Sequence, residues 1–543
     1  MKKLLLAILC CSLWTTSNGQ APTFDWAFAT GGLNGALYNN SMALDNLGNI
    51  YSIGHFYSGP VDFDPSSDIL NFSSVGGLDI YVSKYGTSGQ LIWAKRLGGT
   101  EDDEGTAIAV DSSGNVYFTG NFEGTADFNP GSEVYNLTSN GVKDIFVCKL
   151  DPEGNFLWAK QMGGTTNDKG SGIIVDNSGD VYVTGEFEKT VDFDSGTGNS
   201  VLTSKGQTDM FILKLSTTGD FKWVKHIGST QYDRGEALAI DSDSNLFLTG
   251  SYTGTVDFDP GDGVAELNSA GASGFVLKLD AAGDFGWVTE LPNSLAGRAV
   301  TTDATGNIYV GGGGSGIGVV KLSPSGIITW EKFSPGPNSN VSCIAVDDLG
   351  QVYTTGSFRG EIDFDPGEDQ VIFDSGSWHD GYINKFDASG NYIWAYQWGG
   401  PTARNYGIAM ALDPAGNIYA SGHFRSEIDF DPGPNTFNLK SEYSYYRYLL
   451  KWNQETAGLE DQLQDIAMSL HPNPTNGQIN IEFSRLQDRI ELRLFSITGQ
   501  LVMEKQFKNT KNISLELHQS TGLYIAEFKN GKGQKSILKI MKQ

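Results

Sequence analysis

Short apolar runs and polar turns alternate along most of this chain in a fixed order. Between Thr106 and Gly120, the runs Ile108–Val110 and Val116–Phe118 flank Asp111-Ser-Ser-Gly114-Asn115. β-Branched and aromatic residues favour strands, an Asp side chain bonds the backbone two residues on, and Gly takes the positive φ of a tight turn. The stretch predicts a β-hairpin. It is written seven times, starting at Asp45, Asp111, Asp176, Asp241, Asp303, Asp347 and Asp413, with spacings of 66, 65, 65, 62, 44 and 66 residues. A period of this kind signals a repeat architecture.

Two more strands complete each repeat. One ends in a lysine: Lys84, Lys149, Lys214, Lys278, Lys321, Lys385 or Lys451. The next carries a tryptophan: Trp93, Trp158, Trp223, Trp287, Trp330 or Trp394, with an orphan copy at Trp26. Four consecutive antiparallel strands form a meander, the unit of a propeller blade. The chain starts with a fourth strand lacking its first three, and its repeat region ends at Tyr448–Trp452 with three strands lacking a fourth. An open solenoid would leave both ends unpaired, whereas a ring lets them complete one blade and removes two edges. The prediction is an all-β, seven-bladed β-propeller closed by the Trp26 strand, with Trp26, Trp93, Trp158, Trp223, Trp287, Trp330 and Trp394 packed between blades. Burial of each such ring contributes roughly 2–3 kcal/mol. Exposed tryptophans stacking on sugars are the other reading.

Between second and third strands lies an Asp-Phe-Asp segment, with Asn129 replacing the second Asp in one copy and the whole segment missing from the fifth blade, where Gly311–Gly314 stands. The period stops near Gln454. The expected organisation is a signal segment 1–19, a propeller 20–453, a linker 454–465 and a separate unit 466–543. That last unit alternates apolar and polar residues and predicts a small β-sandwich. It contains Pro472-Asn473-Pro474-Thr-Asn-Gly477 and Gly522-Leu-Tyr524.

These patterns are familiar. The repeat resembles the bacterial β-propeller repeats of SBBP type found in secreted proteins. The unit 466–543, opening on Pro472, Asn473, Pro474 and Gly477 and closing after Gly522 and Tyr524, resembles the Ig-like, type A sorting domain of the type IX secretion system. The resemblance implies a Bacteroidota-type bacterium and passage through the periplasm. It further implies recognition by the type IX machinery, delivery to the outer-membrane surface or the medium, and attachment to surface lipopolysaccharide in many members.

Composition narrows the function. The chain has 543 residues and a formal charge of −27. Residues 1–19 carry +2 and residues 464–543 carry +4, leaving −33 on the body between them. An acidic body repels phosphate backbones, so no nucleic-acid partner is expected. Lys2-Lys3, the apolar Leu4–Leu13 and Ser17-Asn-Gly19 read as a secretory signal peptide. Leu9 before Cys10 does not suit a lipobox. No later run reaches the about 18 apolar residues of a membrane helix, so no transmembrane segment is expected in the mature chain. Cys148 and Cys343 occupy different strand positions and are expected to be free thiols.

Candidate chemistry is sparse. The carboxylates Asp62, Asp64, Asp127, Asp192, Asp194, Asp257, Asp259, Asp363, Asp365, Asp429 and Asp431 are candidate Ca²⁺ ligands, since paired acids at strand spacing share a face. Calcium needs about six to eight oxygens. Asp102, Asp103, Asp168 and Asp233 fall on the same face. The alternative is that one Asp of each segment caps a turn and the other is solvated. His55 and His423 occupy equivalent positions in the first and last blades, where a metal or an acid–base pair competes with a plain structural role. No nucleophile elbow, P-loop or His-Glu-x-x-His motif is present, and no catalytic residue or cofactor site is assigned. The leading expectation is a secreted or surface-displayed, non-enzymatic binding or adhesion module for an unknown glycan or protein ligand. A glycan-acting enzyme and a structural surface-layer component are the alternatives.

Overall fold

The computed structural model describes residues 21–32, 35–367, 369–399, 404–454, 468–471, 475–496, 501–518, 522–531 and 535–542. The expected signal segment, residues 455–465 of the expected linker, and Pro472, Asn473 and Pro474 lie outside the described residues. The chain divides into two compact units, Met1–Gln454 and Glu455–Gln543.

The first unit is a succession of antiparallel meanders. A representative blade consists of Asp103–Val110, Val116–Asp127, Asn136–Leu150 and Phe156–Met162, paired in chain order. Its hairpin forms as the sequence requires. Asp111 Oδ1 accepts the N–H groups of Ser113 and Asn115, both at 2.9 Å, while Asp111 Oδ2 accepts from Asn115 Nδ2 at 2.8 Å and from the Tyr117 hydroxyl at 3.1 Å. Gly114 takes φ 83°. Asp45, Asp303 and Asp413 likewise accept from Nδ2 of Asn49, Asn307 and Asn417 in their own turns.

The strand Thr23–Thr30 pairs antiparallel with Asn438–Asn453, with Ala27 opposite Leu450 and Ala29 opposite Tyr448. It thereby completes the sheet begun by Arg404–Leu412 and Ile418–Asp429. The first strands of successive blades touch in turn: Ala36–Leu44, Asp103–Val110, Lys169–Val175, Arg234–Ile240, Ala296–Thr302, Ile328–Val346 and Arg404–Leu412. The last of these touches the first.

The fifth blade replaces the long excursion with a turn inside Ile308–Leu322, at Gly314 with φ 138°. Strand Ile328–Val346 then runs on from the fifth blade into the sixth.

Tryptophans sit on the neighbouring blade. Indole Nε1 of Trp26, Trp93, Trp158, Trp287 and Trp330 donates to the backbone oxygen of Thr87, Pro152, Thr217, Pro324 and Ala388 at 3.0–3.2 Å. Each ring also covers a turn glycine of that blade; a β-carbon at Gly154 would sit 3.1 Å from Trp93, and one at Gly283 would sit 3.2 Å from Trp223. Trp394 differs. The last blade has no turn joining its third and fourth strands, because they come from opposite ends of the chain. Gln454 stands there, accepting from Lys385 Nζ at 2.7 Å and from the Tyr353 hydroxyl at 3.2 Å, while Trp394 Nε1 is buried without a partner.

The second unit is a five-stranded sheet built around Gln478–Ser496. This strand pairs with Leu501–Glu516 along both halves, with a break in register between Glu482 and Gln487. Ile479, Ile481, Phe483, Leu492, Tyr524 and Phe528 are in its core. Gly477 has φ 127° and its carbonyl accepts Leu517 N–H at 2.7 Å, and Gly522 has φ 155°. Cys148 and Cys343 are free thiols.

Candidate functional site

The Asp-Phe-Asp segments are turns with a buried ring. Phe63, Phe128, Phe193, Phe258, Phe364 and Phe430 are at most 1% exposed. The first Asp of each copy accepts two backbone N–H groups, two and eight residues on. For Asp62 these come from Asp64 at 3.0 Å and Leu70 at 2.9 Å, and the same pattern holds at Asp127, Asp192, Asp257, Asp363 and Asp429. The second position accepts the N–H two residues on at Asp64, Asp194, Asp259, Asp365 and Asp431, and Asn129 does the same. An amide serves as well as a carboxylate, which ties this position to turn geometry rather than to charge. Among the described residues, no three His, Cys, Asp or Glu side chains converge as a metal cluster would require. These segments also stitch blades together, since Gly31 bridges to Asp62, Gly98 pairs with Asp127 and Gly163 bridges to Asp192.

On the same end of the blades, carboxyl groups are buried at the boundaries. Asp79 and Asp103 are 0% exposed on adjacent blades. A β-carbon at Gly98 would lie 2.8 Å from Asp103 Oδ2 and 3.2 Å from Asp79 Oδ1. Asp79 binds Arg96 at 2.7 Å and Asp103 accepts Gly99 N–H at 2.7 Å. Burial first, and then the Asp79 charge, push Asp103 up to about 7 against the lowering effect of the Gly99 N–H. Asp168, buried beside Asp144, is pushed up to about 6 mainly by burial. Asp233, beside Asp209, is raised in the same way.

The constellation that breaks the repeat lies where the last blade meets the first. His55 and His423 both pack on Tyr38, whose ring centroid is 5.2 Å from His55 and 5.1 Å from His423. Sequence equivalence places these histidines one blade apart, and Tyr38 spans the gap. Tyr406 lies 4.7 Å from His423 and stacks on His379 at 5.3 Å. Tyr445 closes the cluster at 5.4 Å from His423 and 5.5 Å from Tyr38. Beyond it, the Arg404 guanidinium lies 3.6 Å from the centre of the Trp378 ring, which is 40% exposed.

Local structure explains the placement. Tyr38 faces His55 across one strand pair, and Tyr406 faces His423 across the equivalent pair. Directly opposed residues of an antiparallel pair project to the same sheet face. Asn40 Nδ2 donates to His55 Nδ1 at 3.1 Å and to the Gly105 carbonyl at 2.7 Å. His423 Nδ1 is buried without a partner. Burial holds His55 below the usual histidine range and takes His423 down to about 3, where His55 adds to the effect. Both imidazoles are neutral near pH 7. Burial raises Tyr38 to about 12, so its hydroxyl keeps its proton. The cluster is therefore uncharged and aromatic, with hydroxyl and imidazole groups at its edges.

The histidine pair was visible in the sequence, but its tyrosine partners were missed. Their signal is present in the column that reads Tyr38, Glu104, Lys169, Arg234, Ala296, Asn340 and Tyr406 from blade to blade. Only the first and last members are aromatic.

Comparisons with known proteins place the scaffold. The description "Secretion system C-terminal sorting domain" matches residues 469–543, and "Beta-propeller repeat" matches residues 92–121 and 157–186. The chain carries β-propeller repeats and a type IX sorting tail. This makes it a propeller protein exported to the cell surface or the medium, and the tail implies handling by the secretion machinery.

An uncharacterized WD repeat-containing protein of Acanthamoeba polyphaga mimivirus is 28% identical over 237 residues, covering 38% of this chain and 17% of that protein. Regulatory protein FlaEY of Caulobacter vibrioides is 27% identical over 188 residues, covering 35% of this chain and 19% of that one. The chain thus spans under a fifth of the length of these relatives. Among solved structures, virginiamycin B lyase from Staphylococcus aureus matches at 11% identity and TM-score 0.39, covering 78% of this chain and 99% of that one. PorZ of Porphyromonas gingivalis, described as a surface component of the type IX secretion system, matches at 8% identity and TM-score 0.19, covering 95% and 100%. No helix among the described residues is long and apolar enough to cross a membrane.

Proposed function

We propose that this exported protein is a non-enzymatic binding module that captures glycan on the Tyr38–His423 cluster. The scaffold is read as a seven-bladed ring shut by Thr23–Thr30, with an Ig-like sandwich as the sorting unit, transit through the periplasm, and release or lipopolysaccharide anchoring at the surface. The observation that carries the reading is the convergence of Tyr38, His55, Tyr406, His423 and Tyr445, since flat uncharged rings with polar edges suit the apolar faces and hydroxyl groups of sugars. Neutral imidazoles and protonated tyrosines add donors and acceptors without adding charge. Calcium at the Asp-Phe-Asp turns is a separate proposal, which the backbone bonds to those carboxylates do not favour.

The test is a glycan array followed by calorimetry and product analysis with the mature chain and its Tyr38→Ala and Tyr406→Ala variants. Saturable binding without turnover, weakened roughly tenfold or more in each variant as for loss of about 1.4 kcal/mol or more, supports the reading. Binding that ignores both substitutions, or conversion of the bound glycan to product, contradicts it.

A further inference from the structure

Taking the aromatic cluster as the ligand site, we infer that Arg404 and Arg425 form an anion subsite beside it and that the ligand is a glycan carrying carboxylate or sulfate groups. Arg404 stands directly opposite Arg425 across the antiparallel pair that also opposes Tyr406 and His423, two residues along each strand. Alternate residues of a strand share a face, so the guanidinium pair continues the surface on which the aromatic cluster lies.

Like charges placed directly opposite each other on a sheet are destabilising. Two cations in equivalent places on other blades have acid partners: Lys143 binds Glu104 and Arg234 binds Glu186, each at 2.8 Å. Among the described residues, Arg404 and Arg425 make no ion pair with an acid. Arg359 sits opposite His379 in the neighbouring blade and adds to the same local charge. These arginines stand out on a body whose formal charge is −33.

An anion between the two guanidinium groups removes the repulsion and gains charge-assisted hydrogen bonds in a geometry that planar forks match well. Arg404 is already oriented by its stack on Trp378. Accessibility fits, since Arg425 is exposed and Arg404 is half-buried. The surrounding acidity favours a polymer whose charges are spaced along a sugar chain over the dense phosphate array of a nucleic acid.

The experiment titrates the mature full-length protein with polygalacturonate, chondroitin sulfate, the neutral polymers dextran and xylan, and a DNA duplex, at low and at physiological salt. At least one acidic glycan is expected to bind about tenfold more tightly than the neutral ones, the worth of one charge-assisted hydrogen bond, and to weaken as salt rises. Preference for polygalacturonate assigns the anion as carboxylate, and preference for chondroitin sulfate assigns it as sulfate.

The Arg404→Gln/Arg425→Gln double variant should lose the preference while keeping neutral-glycan affinity, with no fall in melting temperature because the opposed charges are gone. The double Lys variant should keep part of the preference. Acidic and neutral glycans bound equally well, an unchanged preference in the Gln variant, or DNA bound as tightly as the acidic glycans each overturns the subsite. Binding to every polymer that ignores Tyr38→Ala and Tyr406→Ala overturns the underlying site instead, whatever the arginine variants do.

Discussion

The boundary between the second and third blades and the boundary between the last and the first are made of different matter. The former packs Ile145, Val147, Met162, Val183 and Phe211 into a hydrocarbon layer. At the latter, Arg447 occupies the third-strand column that holds Ile80, Ile145, Met210, Gly274, Ile317 and Gly381 elsewhere, and it is 1% exposed. Its Nη1 donates to Ser52 Oγ at 2.7 Å and Ser83 Oγ at 3.0 Å, and its Nη2 donates to the Tyr85 hydroxyl at 2.6 Å. None of these partners is a carboxylate. In the third blade, Val183 and Leu213 fill the places of Ser52 and Ser83.

Hydrocarbon packing suffices where the chain itself delivers the next blade. Where two distant ends meet, the apolar layer gives way to the directional hydrogen bonds of Arg447. Such a device costs stability that a well-packed apolar seam would recover.

The largest effect should come from breaking that lock. Arg447→Ala removes the donor shared by Ser52, Ser83 and Tyr85, which keep only the Ser52–Ser83 bond at 3.0 Å and the Tyr85–Phe63 bond at 2.8 Å, and it opens a buried cavity; the expected cost is roughly 3 kcal/mol or more. Converting the boundary to the ordinary type, with Arg447→Met, Ser52→Val and Ser83→Val, should restore or exceed the original denaturant midpoint. A triple variant as unstable as Arg447→Ala would show that the arginine contributes more than specificity.

A second, smaller effect separates the boundaries by pH. Asp103 has a folded value of about 7, above the roughly 3.9 of an unfolded aspartate. The folded state therefore holds more protons between those values, and stability is lost as pH rises through this window. At the boundary before the last blade, Asn405 takes the place of this carboxyl, with Nδ2 3.5 Å from Asp380 Oδ1. Asp103→Asn should accordingly raise the melting temperature at pH 8 and flatten its fall between pH 4 and 7. An unchanged pH profile would mean that the pair does not titrate in this window.

The smallest effect concerns the Asp-Phe-Asp turns, which look alike at every boundary that has them. Asp64→Asn reproduces what Asn129 already does and should shift stability by less than about 0.5 kcal/mol. Millimolar Ca²⁺ should leave the melting temperature in place; a rise that chelator reverses would restore the calcium proposal.

Much of this fold was legible because repetition exposes its exceptions. Trp26 stood out as a fourth strand with no first three, and its pairing with Asn438–Asn453 follows from that count. The turn aspartates were legible because local hydrogen bonding needs only a few neighbouring residues. The candidate site was half legible. His55 and His423 drew notice as rare residues in matching places, but Tyr38 and Tyr406 looked like ordinary strand aromatics until the fold set them against the imidazoles. Arg447 was only half legible: its column is mostly apolar in the other repeats, but only tertiary packing reveals the hydroxyls it binds. The facing of Asp79 and Asp103 likewise depends on how adjacent blades abut, which local pattern does not encode.

The most direct test removes the closing strand. Mature protein lacking residues 21–31 should lose the cooperative melt expected of its first unit and the proposed glycan binding, and a synthetic peptide spanning residues 21–32 should restore both, whereas the same peptide carrying Trp26→Ala should not. A truncated protein that melts and binds like the intact chain would contradict the closure and the ligand site built upon it.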